Sequence, residues 1–235
     1  MISCFLVFSS IASFVCIQRL QGLRAKQGGA FKRFYARGDF SVWEIVNLYK
    51  CLVLSYIESG MVAYFHAAAS VLAPIDRVQR RLLRELGLSE LEVFEEYKLA
   101  PLPTRRDIGM LGLLHRISLG KAPFQLIELF PRADPVESRF GPQTRLHRSV
   151  QRHNRQFAER TGRRTDVHER NLFGLVSSYN LLPQSIVDIE SVSGFQGRLQ
   201  RAVLKAAQNG VNDWSNILSG HVIRRQVEFQ QLFAD

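Results

Sequence analysis

Between Ser70 and Leu86, the apolar residues Val71, Ile75, Val78, Leu82 and Leu86 recur at spacings of three and four. That spacing returns to one side of an α-helix but scatters over both faces of a strand, so the segment buries a continuous face only as a helix. Ser70 or Pro74 marks the expected entry, and Gly87 fits the exit. At about 100° per residue, Arg77, Arg80, Arg81 and Arg84 gather on the side away from the apolar stripe. The segment therefore predicts an arginine ridge over an apolar stripe. Two readings of the ridge are open. It can lie along phosphates, where guanidinium groups make bidentate contacts. It can also be a solvated face paired with the carboxylates that follow, Glu85, Glu90, Glu92, Glu95 and Glu96.

The same period governs the other structured segments. Val42 to Ala69 is strongly apolar but carries Glu44, Lys50, Glu58 and His66, with a break at Ser59-Gly60. It predicts one or two buried helices and no stable membrane span. After the breaker Pro101-Leu102-Pro103, Thr104 reads as an N-cap for a helix carrying Ile108, Leu111, Leu114 and Ile117 and stopping near Gly120. Pro123 opens a short helix that ends at Phe130-Pro131. Ser191 and Ser193 can cap a helix in which Phe195, Leu199, Ala202, Val203 and Ala206 share a face, ending at Asn209-Gly210. Asp213 to Asp235 predicts a last helical stretch with Trp214, Ile217 and Leu218 inside. No internal repeat and no sustained alternating run is present. The expected fold class is mostly α, an irregular helical assembly with a basic linker between two helical units.

Charge narrows the partner. Lys and Arg total 31 against 21 Asp and Glu, a formal net charge of +10 that favours a polyanion. Between Arg139 and Arg164 there are eight arginines, no lysine and one acid, Glu159. Apolar periodicity is poor there, and Gly141-Pro142 and Gly162 interrupt it, so the stretch reads as a linker with a short helix from Thr144 to Phe157. In that helix Arg145, Arg148, Arg152 and Arg155 share one face, where they can meet successive phosphates. They form the first candidate nucleic-acid site, and the ridge at Arg77, Arg80, Arg81 and Arg84 forms the second. A further basic stretch, Gln18 to Arg37, has Phe31, Phe34 and Tyr35 interleaved and reads either as a base-stacking tract or as a helix with one apolar edge.

Several chemistries lack their residues. Cys4, Cys16 and Cys51 lie in apolar runs and make no disulfide framework. No Cys-x-x-Cys is present, and His147 and His153 have no partners at zinc-ligand spacing, so no metal and no cofactor is expected. No Walker loop, Gly-x-Ser-x-Gly or Gly-x-Gly-x-x-Gly occurs, and no small-molecule substrate is implied. The apolar run Ile2 to Val15 has only Met1 before it, which is not the charged start of a secretory signal. An intracellular protein, cytoplasmic or nuclear, is expected, with secretion as the alternative.

Four segments in fixed order carry a resemblance. They are Leu48, Tyr49, Val53, Tyr56 and Gly60; then Val78-Gln79-Arg80-Arg81; then Tyr179-Asn180-Leu181-Leu182-Pro183; then Ser191, Val192 and Phe195. Together they resemble the region after the catalytic palm, the thumb and connector, of LINE-like non-LTR retrotransposon reverse transcriptases. That family usually has Trp where this chain has Tyr179. Its polymerase site rests on an adjacent aspartate pair, and none occurs in this chain. The resemblance thus implies a fragment or remnant that is no enzyme on its own and that binds RNA or an RNA/DNA hybrid without sequence preference. It runs from about Gln18 to Leu204 and divides the chain into an outside segment 1–17, a thumb/connector-like unit 18–131, an arginine-rich linker 132–170 and a helical unit 171–235. A small helical protein-interaction module and a decayed reading frame are the alternatives.

Overall fold

The computed structural model describes residues 40–133, 153–159 and 171–219, together with Phe233. Among these residues the regular structure is helical, as the apolar periods predict. The one β-type pairing among them is an isolated antiparallel bridge between Arg132 and Phe157. Contacts separate two compact units, one reaching Arg106 and the other starting at Asp107. No helix among the described residues is long and apolar enough to cross a membrane.

The first unit opens with α1 (Val42–Leu48), which runs through a π-helical stretch, Tyr49–Leu54, into α2 (Ser55–Ser59). Ser41 and Glu44 form a reciprocal capping box at its start. Gly60 ends α2, where the sequence predicts the break, and α3 (Met61–Tyr64) follows. Ile45, Val46, Tyr49, Val53, Leu54, Ile57, Met61 and Tyr64 are buried. Then come α4 (Ala69–Leu86) and α5 (Glu90–Tyr97), separated by Gly87 at φ 71°, a left-handed turn that favours glycine. Ser89 and Glu92 form a second capping box at α5.

Two helix starts are informative. α4 starts at Ala69, one residue from the Ser70 entry, and the alternative entry, Pro74, lies inside the helix. As the sixth helical residue, Pro74 forgoes the N–H bond that would reach the Ser70 carbonyl, a local loss that the helix bears. α6 (Leu102–Ser118) takes Pro103 into its first turn, where the missing N–H costs nothing. Thr104 is therefore a buried helical residue and not the N-cap.

A bidentate ion pair ties α4 to the start of α6. Arg106 donates to both carboxylate oxygens of Asp76 at 2.5 and 3.0 Å. Both side chains are largely buried. Arg105 pairs with Glu58, and the Gln79 amide donates to the Ala100 carbonyl at 3.1 Å. That bond turns Gln79 inward, so the buried face of α4 is Ile75, Gln79, Leu82, Leu83 and Leu86, while Val71 and Val78 are half-buried.

The second unit contains the rest of α6, α7 (Phe124–Leu129), α8 (Val176–Asn180), α9 (Gln184–Val187) and α10 (Val192–Gln208). Ser191 caps α10 by accepting the Gly194 N–H at 3.3 Å, and Gly210 beyond its end stands at φ 70°. Phe195, Leu199, Ala202, Val203 and Ala206 are all buried, as their spacing predicts. Gly112 on α6 faces Gln196 on α10 so closely that a Cβ would fall 2.3 Å from the Gln196 side-chain nitrogen. Of the predicted last helical stretch, Asp213 to Asp235, the part up to Ser219 is described and holds a 3-10 turn, Trp214–Asn216, with Ile217 and Leu218 buried and Trp214 half-buried; the rest, Phe233 apart, lies outside the described residues.

The core of this unit is polar at its centre. His115, Tyr179 and His153 are buried. The Ile189 carbonyl lies 2.6 Å from Nε2 of His115 and can only accept, so Nε2 carries the proton. Nδ1 then accepts from the Tyr179 hydroxyl at 3.0 Å, and Ser118 completes the chain at 2.8 Å from the same hydroxyl. Burial pushes the Tyr179 phenol up to about 12. His153 donates through Nε2 to the Tyr179 carbonyl at 3.1 Å and accepts the Arg155 N–H on Nδ1 at 3.1 Å. Both rings are thereby satisfied in the neutral form. Burial, joined by the nearby charge of Arg155, holds both imidazoles below their ordinary range.

That arrangement has a pH consequence. The folded pKa values are depressed, so the unfolded chain binds more protons once pH falls below the ordinary histidine value near 6.5. The histidine contribution to stability is complete above that value and is lost as pH falls through the folded pKa values. The melting midpoint of the second unit is expected to drop between pH 7.5 and 5, less so in the double variant His115→Gln/His153→Gln. A wild-type midpoint flat across that range would contradict the neutral assignment.

Candidate nucleic-acid interface

Helix α4 presents its arginine ridge to solvent. Arg77, Arg80, Arg81 and Arg84 are all exposed, and the buried stripe opposite them anchors the helix. The first and the last stand seven positions apart, about 10 Å along the axis. Arg77 donates from Nε to the Ala73 carbonyl at 3.3 Å, one turn back on its own helix, which leaves its outer nitrogens available. Arg81 pairs with Glu85 at 2.9 Å, a helical i,i+4 contact with the arginine side chain more than half exposed. Such surface pairs contribute about 0.3–0.5 kcal/mol and yield readily to a competing anion.

Arg80 and Arg84 have no hydrogen-bond or ion-pair partner among the described residues. The carboxylates that follow the ridge in sequence therefore occupy only one of its guanidiniums. The reason is local: α4 ends at Gly87, and Glu92 is used in the capping box of α5, accepting the Ser89 N–H at 3.3 Å. The ridge carries one described carboxylate partner against four cations, an arrangement suited to a chain of phosphates.

The other predicted cluster fares differently. Arg145, Arg148 and Arg152 lie outside the described residues, as does the basic stretch Gln18 to Arg37. Arg155 is described, and it is not on a helix: residues 153–157 form a turn and an extended segment. The expected helix to Phe157 is corrected there, because Asn180 captures this backbone. Its side chain accepts the Phe157 N–H and donates to the Phe157 carbonyl, both at 2.9 Å, in the manner of a neighbouring strand. The Arg155 guanidinium is half-buried and donates to the Val187 carbonyl at 2.9 Å. It holds two segments of the second unit together and does not stand in an open row.

The motif residues of the second unit converge on this core. Tyr179 and Leu182 are fully buried, Asn180 grips Phe157, and Pro183 precedes α9. Phe195 stacks on His115 with ring centroids 4.1 Å apart. In the first unit Tyr49 and Val53 are buried, and burial raises the Tyr49 phenol well above its usual value. These positions build the fold, so their spacing carries structural information and not a surface site. Sequence reasoning missed a second basic face on α10, Arg198, Arg201 and Lys205, all exposed. The available signal was the lack of any acidic residue from Ser191 to Asn212. Comparison of the chain with family models, with curated proteins and with solved structures finds no match.

Proposed function

We propose that this chain is a non-catalytic fragment or remnant of a LINE-like reverse transcriptase that binds RNA or an RNA/DNA hybrid, without sequence preference, through arginine. The lineage rests on the order and spacing of the four motif segments. The binding rests on one observation: the α4 ridge is exposed, anchored from behind, and has two arginines with no partner among the described residues. Contact is made to phosphates, which every nucleic acid supplies, so affinity depends on salt and little on sequence. The absence of an adjacent aspartate pair leaves no polymerase site of that family's kind in the chain.

The test is a salt titration of binding to a labelled RNA hairpin. The variant Arg77→Gln/Arg80→Gln/Arg81→Gln/Arg84→Gln is expected to bind more weakly and to flatten the slope of log affinity against log salt by roughly 2 to 4 units. It should keep its helical circular dichroism, because none of the four side chains is buried. Wild-type protein that takes up no hairpin at low salt would sink the reading.

A further inference from the structure

Inside α10 lies a glycine, Gly197, that neither its backbone angle nor a described side-chain contact explains. Gly87, Gly120 and Gly210 sit at positive φ, where glycine is favoured. Gly112 is pressed against Gln196. Gly197 meets neither condition: it lies inside α10, and a Cβ added there would meet no described atom within 4 Å apart from its chain neighbours and the adjoining turns of helix backbone. Glycine is among the poorest helix formers, so at this half-buried position it weakens the helix with no described side-chain contact to account for it.

The neighbours of Gly197 indicate what that is. Arg198 follows it directly, Arg201 is one turn on, and Lys205 is one turn further. At about 100° per residue these three cations fall within a 60° sector, and Gly197 lies about 40° beyond its Arg201 edge. The buried residues Phe195, Leu199, Ala202, Val203 and Ala206 occupy the other side of the helix. Arg201 reaches back to the Gly197 carbonyl at 3.4 Å, which lays its stem beside the bare backbone. No carboxylate lies on the helix itself.

We propose that this outward face of α10 is a second docking surface for a nucleic-acid backbone. The arginines and the lysine neutralise phosphates, and Gly197 lets the sugar-phosphate chain come down onto the helix. The inference rests on the nucleic-acid reading of the chain and adds to it a site on the other unit. A protein partner is disfavoured because the face is narrow, uniformly basic and without a large apolar side chain at its centre.

Three variants of the full chain are compared in the same salt titration with the labelled hairpin. Arg198→Gln/Arg201→Gln/Lys205→Gln should weaken binding on the order of tenfold at moderate salt and flatten the slope by about 2 units. Gly197→Ala should raise the melting midpoint by about 1–3 °C, since nothing crowds the site and alanine favours helix. Gly197→Leu should melt no lower than wild type yet bind several-fold more weakly, which separates lost contact from lost fold. If the triple variant and Gly197→Leu both bind like wild type while the α4 ridge variant does not, the α10 surface is wrong and the broader reading stands. If wild type binds no hairpin at the lowest salt, both fall. If Gly197→Leu instead breaks a self-association seen by light scattering and leaves hairpin binding untouched, the face is a chain-to-chain contact and the proposal is overturned.

Discussion

Asp76→Ala is expected to cost about 3–5 kcal/mol of stability, the penalty for stranding one charge of a buried pair. The partner, Arg106, is 5% exposed and makes both of its described side-chain bonds to Asp76. Its guanidinium cannot shed its charge by losing a proton, because its intrinsic pKa is too high. Total stabilities of domains run about 5–15 kcal/mol, so this single change should take away a large part of what holds the first unit. Replacing both partners, as Asp76→Leu/Arg106→Met, should recover most of the loss, because it removes the charge that was stranded. Urea denaturation gives the magnitude, and hydrogen exchange of the α4 and α5 amides locates it. An Asp76→Ala loss below about 1 kcal/mol would show that the ion pair does not join α4 to the start of α6.

Phe195→Ala is expected to cost about 3–5 kcal/mol in the second unit. Phe195 is fully buried, lies flat on His115 with an interplanar angle of 7°, and stands 6.1 Å from the Tyr179 ring. Removing the ring opens a cavity against a histidine that must stay uncharged and correctly turned to serve Ile189 and Tyr179 together. Both the cavity and the loosened hydrogen-bond chain act in the same direction. Trp214 is a convenient reporter, since the 3-10 turn that carries it packs against α10. A denaturation midpoint within error of wild type would mean that the polar core is not held by this stack.

Half of the candidate site is legible in the amino-acid sequence. The four-arginine ridge follows from angle alone once the apolar stripe is recognised, and it is exposed as expected. Whether nearby glutamates neutralise it is not legible there, because that depends on where α4 stops and on Glu92 being used at the next helix start. The arginine row through Arg155 shows the opposite failure. A spacing of three and four is equally compatible with a turn when another residue competes for the backbone, and Asn180, 23 residues along the chain from Phe157, does so here.

What the sequence determined by itself is the set of local decisions. The helical period placed α4, α6 and α10, glycine at positive φ ended α4 at Gly87, and Ser191 capped α10. These depend on residues within a turn or two of each other, where backbone sterics and hydrogen bonding act without help from the rest of the chain. Only the tertiary structure decided which polar groups go inside. Gln79 turns in because Ala100 offers a carbonyl, Arg106 because Asp76 offers two oxygens, and His115 because Tyr179 and Ile189 satisfy both of its nitrogens. Burying such groups without a partner is costly, and the partners of these three come from 21 to 74 residues away, a distance at which no local pattern carries information.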